Sequence, residues 1–298
     1  MKILLTLNKT YRGHLDGGYW YVYLPLQQMG HDVYLYDTVN PEEKDYNKVI
    51  ESFKPDLIFC CLTNDRLIAP YEPWEQLLRE TQSGRAKTFN WFCDDTWRFE
   101  TFSRQRCHFF HACSTPEPSY LQKYKEIGYN NIILGAWHAN LDLYPTMKKD
   151  ISISFMGAPN SARKHFVSTH AELDIQLFSG LSHDEMMTAY ARSYIGINLS
   201  INDNDPLKQT QMKQRIFEIT AANSLLLTQH HEGIEEFFDI DKEIITFKGD
   251  EEFSQKASFL IKNNKISEKM AAAGHKRFLA EHESKIRLTN VLHQIMEV

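Results

Sequence analysis

Lys213, Arg215 and Glu218 fall within one short segment, Lys213-Gln-Arg215-Ile-Phe-Glu218, and bring two cations and a carboxylate together. The apolar spacing of Ile216, Phe217 and Ile219 predicts a helix, on which Arg215 and Glu218, three positions apart, share a face. Backbone N–H groups at the front of a helix favour an anion. A nucleotide diphosphate would meet Arg215 or Lys213 there, and the Glu218 carboxylate would accept hydrogen bonds from ribose hydroxyls. The same spacing also suits a surface ion pair, which contributes little. A second cluster, Phe89-Asn-Trp-Phe-Cys-Asp94-Asp95-Thr-Trp97-Arg98, sets two carboxylates directly after an aromatic run. Adjacent acids do not share a face, so one is expected to cap the next helix and the other to point into a cleft. Trp91, Trp97 and Phe99 either stack on a sugar ring or pack in the core. In the polar loop from Asn8 to Gly18, His14 and Asp16 are acid–base candidates, although a loop histidine is commonly just solvated.

These groups need a scaffold, and the chain supplies one. Its 298 residues suffice for two cores, and 42% hydrophobic with 24% charged residues is a globular composition. Short apolar runs alternate with amphipathic stretches, the sign of parallel sheets with helices on their faces. Strands are expected at Ile3 to Leu7, Val33 to Tyr36, Leu57 to Cys61, Thr88 to Phe92, Phe109 to Cys113 and Ile132 to Leu134. A helix is expected from Pro41 to Phe53. The pattern pauses in a polar linker from Trp137 to Lys149 and restarts with strands at Ile151 to Met156, Ile175 to Phe178, Ile195 to Leu199, Leu225 to Thr228 and Ile244 to Phe247. This predicts two doubly wound Rossmann-like α/β domains, 1–145 and 146–298, with the last helix packing back on the first domain. Ligands in such sheets sit outside the carboxyl ends of the strands, so the site is sought in loops that follow strands, lining a cleft between the domains.

The segment Arg215-Ile-Phe-Glu218-Ile-Thr-Ala-Ala-Asn-Ser-Leu-Leu-Leu-Thr228, followed by His231-Glu-Gly233-Ile-Glu-Glu-Phe237, resembles the C-terminal signature of group 1 glycosyltransferases of the GT-B fold, closest to the branch of spore-maturation glycosyltransferase-like proteins. The resemblance implies that Glu218 holds the donor ribose and that Lys213 and Arg215 neutralise its diphosphate. Ile153-Ser-Phe-Met-Gly157-Ala-Pro-Asn-Ser-Ala-Arg163 is similar to the strand-loop-helix that opens the family's donor domain, where Gly157 lets the backbone approach the phosphates and Arg163 pairs with them. Gly17 and Gly18 look like the glycine pair that relatives place against donor phosphates and acceptor. In an inverting transferase, Asp94 or Asp95 would deprotonate the acceptor hydroxyl; the resemblance leans towards retention, which needs no such base. Two positions depart from the family pattern: Asn223 replaces the turn glycine, a residue that tolerates a left-handed conformation, and Thr210 stands where many relatives carry a second glutamate.

The expected reaction is transfer from a nucleotide sugar, UDP-sugar by family habit, to an unknown hydroxyl acceptor. No metal cofactor is expected: His-Glu-x-x-His is absent, and Asp203-Asn-Asp205 reads as a polar loop that only echoes a metal signature. A net charge of -6 disfavours nucleic acid as a partner. Transfer to a viral-type modified DNA base remains the alternative acceptor chemistry, for which Lys9, Arg12, Arg98, Arg104 and Arg106 are few and scattered. A non-catalytic nucleotide-sugar-binding protein and an epimerase are the alternatives of other classes. Five cysteines without CxxC spacing read as free thiols. With neither a signal peptide nor a long apolar run, the chain is expected to be cytoplasmic and without a membrane span.

Overall fold

Strand β1 (Lys2–Leu7) is buried at every position after its first, as a central parallel strand must be. The structure, a computed structural model, describes residues 1–158, 160–201, 205 and 207–298. The chain forms two units, residues 1–136 with 284–298, and residues 137–283. The polar stretch after Ala136 thus belongs to the second unit.

In the first unit, β1 is followed by a small hairpin of β2 (Thr10–Tyr11) and β3 (His14–Leu15). Its two-residue turn holds Arg12 at φ 51° and Gly13 at φ 82°, the left-handed pair that a type I′ turn requires. The main sheet adds β4 (Asp32–Asp37), β5 (Leu57–Cys61), β6 (Lys87–Trp91), β7 (Ala112–Thr115) and β8 (Ile132–Leu134). Among the described residues it is six-stranded, in the order β4-β1-β5-β6-β7-β8, and every pairing is parallel.

Two boundaries differ from expectation for local reasons. The helix after β4 starts at Tyr46 because Asp45 caps it, accepting from Asn47 N at 3.1 Å. The strand expected at Phe109 starts at Ala112, since Cys107–Phe109 close a 3₁₀ turn in which Phe110 N donates to Cys107 O at 3.1 Å.

One face of this sheet is closed by the end of the chain. The helix Ser284–Glu297 buries Leu288, Val291, Leu292 and Ile295 against a cluster with Ile3, Leu5, Phe59 and Phe89. The opposite face is covered by the helices Tyr46–Phe53, Trp74–Ser83 and Tyr120–Glu126.

The second unit is a parallel sheet of β9 (Ile151–Met156), β10 (Gln176–Phe178), β11 (Ser193–Asn198), β12 (Leu225–Gln229) and β13 (Ile245–Phe247), in the order β10-β9-β11-β12-β13. Helix Gln214–Ala221 lies on β11, and its residues from Ile216 to Ala221 are all buried. Gly196 of β11 makes that approach feasible, because a Cβ there would stand 2.8–2.9 Å from three carbons of Ile219. Gly196→Ala is therefore expected to cost about 1–3 kcal/mol by overpacking. Ile219→Ala in the same chain should recover part of the loss, which urea unfolding of the single and double variants checks.

No helix among the described residues is long and apolar enough to cross a membrane. All five cysteines are free thiols, with Cys61 and Cys93 bringing their Sγ atoms to 3.7 Å.

Candidate functional site

The carboxyl end of β9 carries the most convergent polar cluster. Gly157 adopts φ 138°, a conformation that an L side chain rarely takes. A Cβ at that position would overlap Arg163 Nη1 and lie 3.0 Å from Arg215 Nη2, so both guanidiniums lie against this one backbone segment. Both also sit over the Phe155 ring, each 5.6 Å from its centroid.

Each arginine is held by its own element. Asn160 caps the helix Ser161–Thr169 by accepting from Arg163 N at 2.9 Å, and Arg163 Nη1 donates to Ala158 O at 2.8 Å. Arg215, in the first turn of Gln214–Ala221, donates from Nη1 to Asn198 Oδ1 at 3.1 Å. Asn198 is fixed in turn by Thr228 Oγ1 at 2.9 Å. Among the described residues Arg215 Nε is buried without an acceptor and Arg215 forms no ion pair, so the surface pairing with Glu218 is not what the helix builds. Lys213 sits at the N-cap of the same helix.

Glu218 lies one turn further along that helix and is buried, with Tyr190 Oη donating to its Oε2 at 3.3 Å. Burial and the Glu218 charge hold the Tyr190 hydroxyl well above its ordinary pKa, so it stays a donor. Thr210 shares a hydrogen bond with the buried His231, with 3.0 Å from Oγ1 to Nδ1. Asn223 takes φ 53° as the helix ends and the chain turns into β12. Beside Arg163 lies a cavity of about 220 Å³, bounded by Phe166, Leu199, Gln229, Phe247 and Gly249. It has room for a ring but not for a whole nucleotide sugar. Sequence reasoning missed Asn198 and Tyr190; they come from another strand and another helix, and no spacing links them to Arg215 or Glu218.

The first-unit candidates are dispersed. Asp16 is half-buried just before the helical turn that Gly17 and Gly18 open, and burial raises its pKa against the opposing influence of the Gly18 and Gly17 N–H groups and of Asn8. Gly18 packs tightly on Leu7, since a Cβ would meet Leu7 Cδ2 at 2.8 Å. His14 is exposed on β3. Asp94 is half-buried at the N-cap of the turn Asp95–Arg98. Asp95 instead faces the core, 1% exposed, and accepts from Tyr124 Oη at 3.0 Å. Trp91 and Phe99 are core residues as well, which leaves Trp97 partly exposed. The metal echo at Asp203 and Asn204 lies outside the described residues, and among the described ones no group of His, Cys, Asp and Glu is arranged to hold a metal ion.

Asp95 gives a pH signature. Burial pushes its carboxyl up from 3.8 to about 6, against the opposing hydrogen bonds of Ser103, Thr115 and Tyr124. The folded chain thus holds this proton more tightly than the unfolded chain does. The corresponding stability is complete below about pH 4 and is lost as pH rises through about 6. Asp95→Asn is expected to remove that loss, shifting the stability difference in the variant's favour by up to about 3 kcal/mol between pH 4 and 7. Urea unfolding of both chains across this range checks it, and a difference that does not change with pH would refute it.

Residues 146–293 match the family model described as Glycosyl transferase-like. No curated protein sequence matches the chain. Among solved structures, a glycosyltransferase from Rickettsia africae is similar over 99% of this chain and 98% of its own, at 13% identity and a TM-score of 0.68. A sucrose-phosphate synthase from Thermosynechococcus elongatus is similar over 99% of both chains, at 10% identity and a TM-score of 0.67. Anabaena Alr3699/HepE in complex with UDP-glucose is similar over 99% of this chain and 100% of its own, at 9% identity and a TM-score of 0.64. With residues 146–293 in the family model and the α/β architecture matched along the whole chain by solved glycosyltransferases, the chain belongs to the group 1 glycosyltransferases of the GT-B fold.

Proposed function

We propose that this glycosyltransferase takes its sugar from a nucleoside diphosphate sugar, with UDP as the favoured nucleotide, and passes it to an acceptor hydroxyl without a metal ion. The observation that carries the reading is the meeting of Arg163 and Arg215 over the Gly157 backbone at the end of a parallel strand. A departing diphosphate gains negative charge as the glycosidic bond breaks, and fixed guanidiniums stabilise that charge without reorganising. The N-termini of helices Ser161–Thr169 and Gln214–Ala221, with Lys213, add to the positive field. Glu218 takes the ribose hydroxyls. UDP is favoured because the similar Anabaena protein is seen with UDP-glucose. Asp94, partly exposed where Asp95 is not, is the better placed of the two for the acceptor hydroxyl. Nucleotide sugars are cytoplasmic metabolites, and the reaction is assigned to that compartment.

Thermal unfolding with UDP-, GDP-, ADP- and CMP-sugars tests the donor assignment. A ligand at about 100 times its Kd adds about 2.7 kcal/mol of stability. Stabilisation by the UDP-sugars is expected in the parent chain and should vanish in Arg215→Ala and Glu218→Ala. Stabilisation that survives EDTA supports donor binding without metal, and the absence of stabilisation with all four classes would overturn the assignment.

A further inference from the structure

The loop after β5 holds an arrangement that the donor site does not use. Its centre is Glu72, a half-buried carboxylate bound from within its own loop. Thr63 donates to it from its backbone N and from Oγ1 (2.9 Å), Asn64 donates from N at 2.9 Å, and Trp74 donates from Nε1 at 3.0 Å. Those bonds fix Asn64, which adopts φ 53°, and the Trp74 ring. These two in turn fix Arg106. Its Nε donates to Asn64 Oδ1 at 3.3 Å, and its guanidinium carbon lies 4.7 Å from the Trp74 centroid and 5.0 Å from that of Phe109.

The contacts that hold Arg106 are thus a neutral amide and two aromatic rings, and among the described residues it forms no ion pair. Arg66, on the same loop and exposed, makes no hydrogen bond or ion pair among the described residues. Both arginines line a cavity of about 360 Å³ together with Asn64, Pro70, Glu72 and Trp74. Neither nearby acid forms an ion pair with them among the described residues: Glu72 is held by the donors above, and Asp65 Oδ1 accepts from Leu67 N at 2.9 Å.

A guanidinium presents five N–H donors in a rigid fork that matches carboxylate and phosphate oxygens, and restraining its rotamers in advance lowers the entropy lost on binding. A surface arginine with no such duty would be free to move or to pair with an acid. We propose that this cavity binds an anionic group, phosphate or carboxylate, of a small ligand, gripped by Arg106 and closed over by Arg66. The site lies wholly in the first unit and stands or falls independently of the donor assignment. Its loop follows a strand at the carboxyl side of the sheet, the side on which open α/β sheets take ligands.

The test is ¹⁹F NMR of the full chain labelled with 5-fluorotryptophan, titrated separately with inorganic phosphate and with acetate. Trp74→Phe assigns the reporting line, and the line of the buried Trp91 monitors the fold. The Trp74 line is expected to move along a saturable curve with at least one anion. Arg106→Gln and Arg66→Gln should each weaken that binding about tenfold or more, the loss of one charge-assisted contact, whereas Arg163→Gln should leave it unchanged. Saturation by phosphate alone assigns a phosphate-bearing ligand, and saturation by acetate alone assigns a carboxylate. If Arg106→Gln disturbs the Trp91 line, Arg66→Gln decides. No saturable movement with either anion, or movement indifferent to both arginine substitutions, overturns the proposal.

Discussion

Arg215→Ala is expected to lower kcat/KM for the donor by about 10²–10³, the effect of removing one preorganised charge donor from a transition state. The size follows from how the side chain is held. Asn198 fixes Nη1, the Phe155 ring lies beneath the guanidinium, and the buried Nε has no acceptor among the described residues. Most of the cost of ordering this arginine is therefore met in folding, and the field it supplies is fully available when charge develops. Arg215→Lys should recover only a part, because an ammonium cannot reproduce the fork that reaches Asn198 and a phosphate together. Steady-state kinetics with a UDP-sugar donor check both variants. A drop below about tenfold for the alanine variant would remove Arg215 from the diphosphate.

The second large effect is structural. Ending the chain at Glu283 should abolish cooperative folding of the first unit. Leu288 and Ile295 are wholly buried and Val291 and Leu292 nearly so, and all four belong to the cluster that covers one sheet face. Each such side chain contributes about 1.5–3 kcal/mol, so the four together contribute about 6–12 kcal/mol, comparable with the whole net stability of a domain, about 5–15 kcal/mol. Hydrogen exchange should show loss of protection in β1, β5 and β6 and persistence in β9, β11 and β12. Full protection in the shortened chain would contradict this account.

How far the sequence could be read depended on the distance over which each interaction acts. Strands such as Leu57–Cys61 and Ile132–Leu134 were legible at both ends, because each is a continuous apolar run closed by turn residues. The hairpin Thr10–Leu15 was not, since its turn uses Arg12-Gly13 where Asn-Gly would have announced it. Trp74–Ser83 also went unread behind a loop with two prolines, Pro70 and Pro73, the second of them at its N-cap. In the second unit, the gathering of Gly157, Arg163 and Arg215 agrees with a grouping drawn from residue type and family likeness. The parts that hold it, Asn198 and Tyr190, lie 17 and 28 positions from their partners and leave no mark on local spacing. Asp94 and Asp95 show the opposite limit: adjacent in sequence and identical in type, they differ because only Asp95 turns towards Tyr124 and the core.

The order in which the chain is made adds a consequence of its final helix. Residues 1–136 leave the ribosome before residues 137–283, yet the helix that seals one face of their sheet is made only after both. The second unit is complete by Glu283 and can fold while the first still waits. At ordinary elongation rates that wait is on the order of ten seconds, during which Ile3, Leu5, Phe59 and Phe89 lack part of their cover. Nascent chains of this protein should therefore be clients of holding chaperones until Ser284–Glu297 has emerged from the ribosome, and a translational pause placed just before that helix should prolong the dependence.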